Sequence, residues 1–350
     1  MSCYKPLAAY RSLSRKNENG KSLIVFNPKE AGNVYENLEL PCGQCIGCRI
    51  DRSRDWALRC VHEASLFENN CFVTLTFSDE NLQDYGSLVK ADFQNFMKRL
   101  RKHYSGIESV KDSNGRVSFP IRFFHCGEYG SQLERPHHHA CLFNFDFDDK
   151  ELWSCRDGVR LYRSENLERL WSKEIDPVNC RHYGLDNCFE RNGRWYVKLG
   201  FCTIGDVTFE SAAYVARYIT KKMNGEKALE HYFVDVDEDS GECYFLQPEY
   251  ITMSRRPGIG KRWFEKFKED IFPKDFITHD GQKFRSPRYY DKIYDTFCPV
   301  DFKNIKRKRL TNGVKYADNN SSRRLRVREK VLDSRLGNLK RGFENGNSNV

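Results

Sequence analysis

The chain predicts an α+β protein, a central antiparallel sheet with flanking helices. Three observations carry this. Residues 71–77 (CFVTLTF), 121–130 and 137–143 are apolar, β-branched or aromatic runs of strand length. Helical spacing of apolar residues lies around them, at 57–67, 89–104 and 209–223. Only the loop from Gly130 to Pro136 joins the second strand to the third, and strands joined so briefly pair antiparallel.

At 350 residues the chain can bury a real core, and two structural units are expected. Charged residues at 31% and aromatics at 14% fit a soluble, folded protein. No apolar run approaches membrane-spanning length, and the N-terminus lacks the apolar core of a signal peptide, so a reducing cytoplasm is expected. The net charge is +9 and is unevenly placed. Residues 303–341 hold 14 Lys/Arg against three acids, whereas the remainder holds 44 basic and 46 acidic residues. Such a block grips polyanions, DNA or RNA first, with Arg323, Arg324 and Arg326 at its centre; otherwise it only keeps the chain soluble. The domain expectation is a Cys-rich segment (1–50), a catalytic domain (51–300) and a basic tail (301–350).

Taken in order, the first motif is PCGQCIGCR at 41–49. Cys42, Cys45 and Cys48 are spaced at three-residue intervals among glycines that permit tight turns, as in a zinc knuckle. A closed structural site needs a fourth ligand; Cys3 is the first candidate, then Cys60 or His62. The competing reading is three buried thiols without metal. A helix follows, with Ala57, Cys60, Val61, Ala64 and Phe67 on one face. The unbroken apolarity of 71–77 suggests the middle of a sheet. The helix of 89–104 places Val89, Phe93, Phe96, Met97, Leu100 and Tyr104 inward, and its terminal cations suit the helix dipole.

Two histidines separated by one residue open the third strand. Side chains alternate along a strand, so His137 and His139 share a face with Cys141 and Phe143, while His138 faces away. Antiparallel pairing brings Glu128 near them. Glu with His-x-His is an N2O set suited to Mg²⁺ or Mn²⁺, with positions left for phosphate oxygens. The alternative for Glu128 is a surface salt bridge to Arg135. Residues 161–171 read as a helix that buries Leu167, Leu170 and Trp171, 181–192 as a loop, and 194–198 and 201–204 as strands.

The helix of 209–223 has two faces. Ala212, Val215, Ala216, Ile219 and Met223 form the buried one. Tyr214, Arg217, Tyr218 and Lys221 share another, with two phenols about 6 Å apart along the axis. Adjacent cations favour phenolate and can hold a phosphate; an ordinary amphipathic helix capped by tyrosines is the plain alternative. Arg255, Arg256 and Lys261 lie on a basic turn entering a further helix and could seat a DNA phosphate. A further helix is expected near 325–339.

The stretches PCGQCIGCR, FVTLTF (72–77), CGEYG (126–130), RPHHH (135–139), AAYVARYITKK (212–222) and MSRRPGIG (253–260) together resemble the replication initiator proteins of gokushovirus-type microviruses. Those belong to the HUH endonucleases of rolling-circle replication. The resemblance implies an HUH-like sheet with the histidines on a middle strand and the tyrosine helix packed across them. It implies His137, His139 and Glu128 as ligands of Mg²⁺ or Mn²⁺, Tyr214 and Tyr218 as nucleophiles, and Lys221 or Arg217 as phosphate-balancing cations. His138 stands where an apolar or aromatic residue is usual. The implied activity nicks single-stranded phage origin DNA, leaving a 5′-phosphotyrosine and a free 3′-OH, and later rejoins the ends. Host polymerase and helicase would be the partners, in the host bacterial cytoplasm. Two other readings remain at this stage, a non-catalytic zinc-containing DNA-binding or packaging protein and an HUH transposase or plasmid initiator.

Overall fold

The computed structural model describes residues 3–337 except 19, 83, 112–114, 116, 131–132, 157, 218–225 and 237–240. The chain divides into two compact units, one of residues 1–53 with 291–341, the other built from 54–290. In chain order the first elements are β1 (Leu7–Lys16), β2 (Ser22–Val25), β3 (Tyr35–Leu40), α1 (Ile46–Ala64), β4 (Asn70–Leu75) and α2 (Lys90–His103). Next come the short pair β5 (Val110–Lys111) and β6 (Val117–Ser118), then β7 (Arg122–Tyr129) and β8 (Pro136–Phe143). They are followed by β9 (Glu151–Arg156), β10 (Val159–Arg163), α3 (Glu165–Leu170), β11 (Ser172–Ile175), α4 (Cys180–Tyr183), β12 (Cys188–Arg191), β13 (Arg194–Lys198) and β14 (Cys202–Gly205). The chain continues with α5 (Phe209–Arg217), α6 (Glu226–Tyr232), β15 (Phe233–Val236), β16 (Cys243–Phe245), β17 (Tyr250–Met253) and α7 (Lys261–Ile271). Last are β18 (Ile277–His279), β19 (Gln282–Phe284), α8 (Arg288–Phe297), α9 (Pro299–Val314) and α10 (Ser322–Gly337).

The larger unit is organised on a seven-stranded sheet of order β17-β7-β8-β4-β14-β10-β9. Every neighbouring pair is antiparallel. β4 sits at the centre, where both its faces are covered, which accounts for its unbroken apolarity. Alternation assigns each residue a side. On one face Phe72, Phe124, Cys126, Cys141 and Phe143 pack with Ala57 and Cys60 of α1 and Ala212, Val215 and Ala216 of α5. On the other, Val73, Leu75, Ala140 and Leu142 pack against Phe93, Phe96, Met97 and Leu100 of α2 and Leu167, Leu170 and Trp171. α5 lies directly on β7 and β8.

Two expectations changed. Residues 161–171 are not one helix, because Val159–Arg163 pairs with β9 and β14. The helix starts only after Ser164, whose hydroxyl accepts from the Leu167 amide. Leu167, Leu170 and Trp171 are nonetheless buried. Residues 181–192 contain the end of α4 and a strand, β12, which hairpins onto β13 through Asn192-Gly193. Both turn residues have positive φ, 54° and 73°, the geometry a two-residue hairpin favours.

The smaller unit holds a three-stranded sheet of order β2-β1-β3 and the basic helices α9 and α10. Arg323, Arg324 and Arg326 are exposed on α10. Among the described residues no helix is long and apolar enough to cross a membrane.

Candidate active site

Register positions the site. Glu128 on β7 pairs directly with His137 on β8, and Cys126 with His139, so Glu128, His137 and His139 share the face that α5 covers. His139 Nε2 lies 2.9 Å from Glu128 Oε1, and both residues are buried. The Tyr214 hydroxyl donates to the same Oε1 across 3.4 Å. The His137 and His139 rings are nearly parallel, their centroids 6.3 Å apart. The Tyr214 ring meets His139 edge-on at 5.0 Å, and Phe72 flanks both.

Each imidazole is oriented by a second bond. His137 donates Nδ1–H to the Arg135 carbonyl across 2.7 Å, which leaves Nε2 as its lone-pair atom. His139 Nδ1 meets the Thr74 hydroxyl at 3.0 Å, and Thr74 is its direct cross-strand neighbour on β4. Both rings therefore use Nδ1 on the fold and keep Nε2 for the shared face. Burial, with His139 beside it, pulls His137 down to about 4. A neutral ring is the form that binds metal. Two imidazoles with outward Nε2 atoms and one buried carboxylate fit a hard divalent cation. Arg135 is engaged by Asp79 and by the Phe77 carbonyl, 2.7 Å from its Nη2, so the salt bridge to Glu128 is not formed.

His138 faces away, as alternation requires. Its Nδ1 is 3.1 Å from His125 Nε2, among Phe77, Phe93 and Trp171. Burial holds His138 at about 3 and His125 well below its ordinary value.

On α5 the structure brings Tyr214 and Arg217 to the site; the Arg217 guanidinium carbon lies 5.4 Å from the Tyr214 ring centre. Tyr218 and Lys221, with Ile219 and Met223, lie outside the described residues. Of the basic turn, Arg255 and Arg256 are exposed, whereas Lys261 pairs with Glu265 one helical turn on, 3.3 Å away.

In the smaller unit Cys3, Cys42, Cys45 and Cys48 converge, with their sulfurs all within 4.8 Å of one another. Cys3–Cys42 is 3.6 Å and Cys3–Cys45 3.8 Å. Four sulfurs at ~2.3 Å from zinc sit at tetrahedral edges of ~3.8 Å, so this cluster could bind a metal such as Zn²⁺. Backbone amides of Tyr4, Cys42 and Cys45 donate to Cys45, Cys3 and Cys42 sulfurs, each across 3.3 Å. Burial raises the Cys45 thiol, but the Tyr4 amide and other hydrogen bonds outweigh it and bring Cys45 to about 7. Cys60 and His62 are engaged elsewhere, Cys60 with Cys141 and His62 with the Tyr290 hydroxyl at 2.9 Å.

Sequence reasoning missed Thr74, Phe72 and Arg135, which orient the site. It also missed Glu63, a buried carboxylate that accepts from Arg122 Nε at 2.6 Å and the Gly260 amide at 2.7 Å. Their signal exists only once strands are in register.

Fold and site together define a class: an α+β protein with acid, imidazole and phenol gathered on one face of an antiparallel sheet. A family model described as Replication-associated protein ORF2 matches residues 70–223, from β4 through the tyrosine helix. The chain is 31% identical over 308 residues to the Replication-associated protein ORF2 of Spiroplasma virus 4, covering 83% of this chain and 80% of that protein. It is 30% identical over 296 residues to the Replication-associated protein VP4 of Bdellovibrio phage phiMH2K, covering 84% and 77%. A third relative, the Replication-associated protein ORF4 of Chlamydia phage 1, is 26% identical over 79% of this chain and 60% of its own length. This chain belongs to the Replication-associated protein ORF2 family, among the replication proteins of gokushovirus-type microviruses. No solved structure matches it.

Proposed function

We propose that this protein starts rolling-circle replication by nicking one strand of phage origin DNA through a tyrosine nucleophile, and later rejoins the ends. The observation that carries the reading is the Tyr214 hydroxyl, 3.4 Å from a Glu128 carboxylate that also meets His139 on the same face. His137, His139 and Glu128 would hold Mg²⁺ or Mn²⁺, whose charge, when bound, offsets that of the scissile phosphate. Tyr214 attacks the phosphorus. Its oxygen forms a bond to phosphorus, the bond to the 3′ oxygen breaks, and the net proton transfer is from phenol to departing 3′ oxygen. The products are a 5′-phosphotyrosine and a primer 3′-OH. The ester keeps the bond energy, so attack by a 3′-OH rejoins the ends without a nucleotide cofactor. Tyr218 would serve as the second nucleophile, with Lys221 and Arg217 balancing phosphate charge.

The cysteine cluster takes a structural role in this reading, holding Zn²⁺ away from the chemistry, and the basic tail adds electrostatic grip on DNA. The test is His139→Ala in a nicking assay run beside a DNA-binding assay. Nicking is lost and binding kept if His139 belongs to the reaction centre. Equal loss of both would instead assign it a purely structural role.

A further inference from the structure

A second site lies at the opposite end of β7. An open cleft of about 700 Å³ is lined by Arg101, Phe119, Arg122, Phe123, Arg255 and Arg256. Four guanidinium groups and two phenyl rings here surround one space. Arg101, Arg255 and Arg256 have no carboxylate partner among the described residues. Arg101 uses Nε and Nη2 on the Ile121 carbonyl, at 3.2 and 2.8 Å, and lies over Phe119 at 4.3 Å. Phe119 is 67% exposed, which leaves area for a further stacked ring. Arg122 is fully buried and paired with Glu63, yet its Nη1 has no hydrogen-bond partner among the described residues.

The turn that carries Arg255 and Arg256 is held in position. Arg122 Nη2 bonds the Pro257 carbonyl at 2.6 Å, Glu63 accepts from the Gly260 amide, and Arg59 Nε bonds the Ile259 carbonyl at 3.0 Å. Two exposed cations on a fixed turn, beside an exposed aromatic ring, suit a phosphate and a base from one nucleotide.

We propose that this cleft is a single-stranded DNA subsite that holds one nucleotide away from the candidate nicking centre, its phosphate on Arg255 and Arg256 and its base on Phe119. Arg122 and Glu128 are six residues apart on one strand, about 20 Å. That separation spans about six nucleotides at 3.4 Å each, and fewer where the strand is extended. The cleft would thus fix where the strand enters relative to the cut. Only the strand's identity rests on the replication reading.

The experiment measures binding of a fluorescein-labelled 20-nucleotide oligothymidylate to the full chain in EDTA, where no metal-dependent cleavage occurs. Binding and nicking therefore fail separately. Arg255→Gln/Arg256→Gln is expected to weaken binding and lower the slope of log affinity against log salt by about 1.4, two phosphate contacts. Phe119→Ala is expected to weaken it about 5- to 100-fold at unchanged slope. All three side chains are exposed, and unchanged circular-dichroism melts confirm that the variants fold. Wild-type affinity and slope in both variants would overturn the proposal. So would free thymidine monophosphate binding that depends on these residues while oligothymidylate binding does not, because the cleft would then serve a free nucleotide.

Discussion

Replacing Thr74 by valine changes one hydrogen bond and little else. Valine has threonine's shape, and the β4–β8 pairing of this residue with His139 is a backbone contact that survives the change. What is lost is the hydroxyl 3.0 Å from His139 Nδ1. That hydroxyl lets Nδ1 carry the proton, so that Nε2 offers its lone pair toward the face shared with Glu128. Without it, the neutral ring places its proton on Nε2, where Glu128 Oε1 accepts it at 2.9 Å. A cation at the site must then compete with that hydrogen bond. Loss of such an orienting partner costs about 10- to 100-fold in metal affinity, or ~1.4–2.7 kcal/mol. Titration of the protein with Mn²⁺, followed by electron paramagnetic resonance, reads this directly. Thr74→Val should weaken binding within that range, Thr74→Ser should restore it, and His139→Ala should abolish it. Affinity within twofold of wild type for Thr74→Val, with binding still abolished in His139→Ala, would refute the orienting role.

Three further outcomes follow from the same contacts. Purified protein should carry one zinc per chain by elemental analysis, and Cys48→Ser should lose it; a metal-free wild type would remove the zinc centre. Glu63→Gln leaves the buried Arg122 guanidinium without its counter-charge, at a cost of about 3–5 kcal/mol. For a unit of this size that lowers the melting temperature by ~6–20 °C, and a fall below ~3 °C would contradict the assignment. Burial, with His279 adding to it, holds His62 at about 3, so the unfolded chain takes up a proton that the folded chain refuses. This stability is intact above pH 6.5 and is lost as pH falls from there toward 3, by at most ~1.4 kcal/mol per unit. His62→Gln should flatten the pH dependence of melting, and an identical profile would count against it.

Much of the site was legible because strand periodicity is simple. Alternation alone separates His137 and His139 from His138, and the short loop after Gly130 brings Glu128 opposite them. Cys3 was also within reach, since a zinc site needs four ligands and the knuckle supplies three. Thr74 was not, because nothing local links a threonine in FVTLTF to a histidine 65 residues later; only sheet order does. Glu63 and Arg122 hid for the same reason. Each reads as an ordinary surface charge until α1 and β7 bury them together. The β12–β13 hairpin was a missed local signal: Asn192-Gly193 is the expected two-residue turn, between strands too short to stand out.

The central claim is tested most directly by trapping the covalent intermediate. Wild-type protein is mixed with Mn²⁺ and end-labelled single-stranded DNA tiling the genome that encodes it, then run on a denaturing gel and mapped by peptide mass spectrometry. The account predicts a protease-sensitive adduct with one tile, attached at Tyr214 or Tyr218, absent with chelator and in the double Tyr→Phe variant. Tight binding to DNA with no adduct on any tile, or an adduct that persists in the double variant, would contradict it.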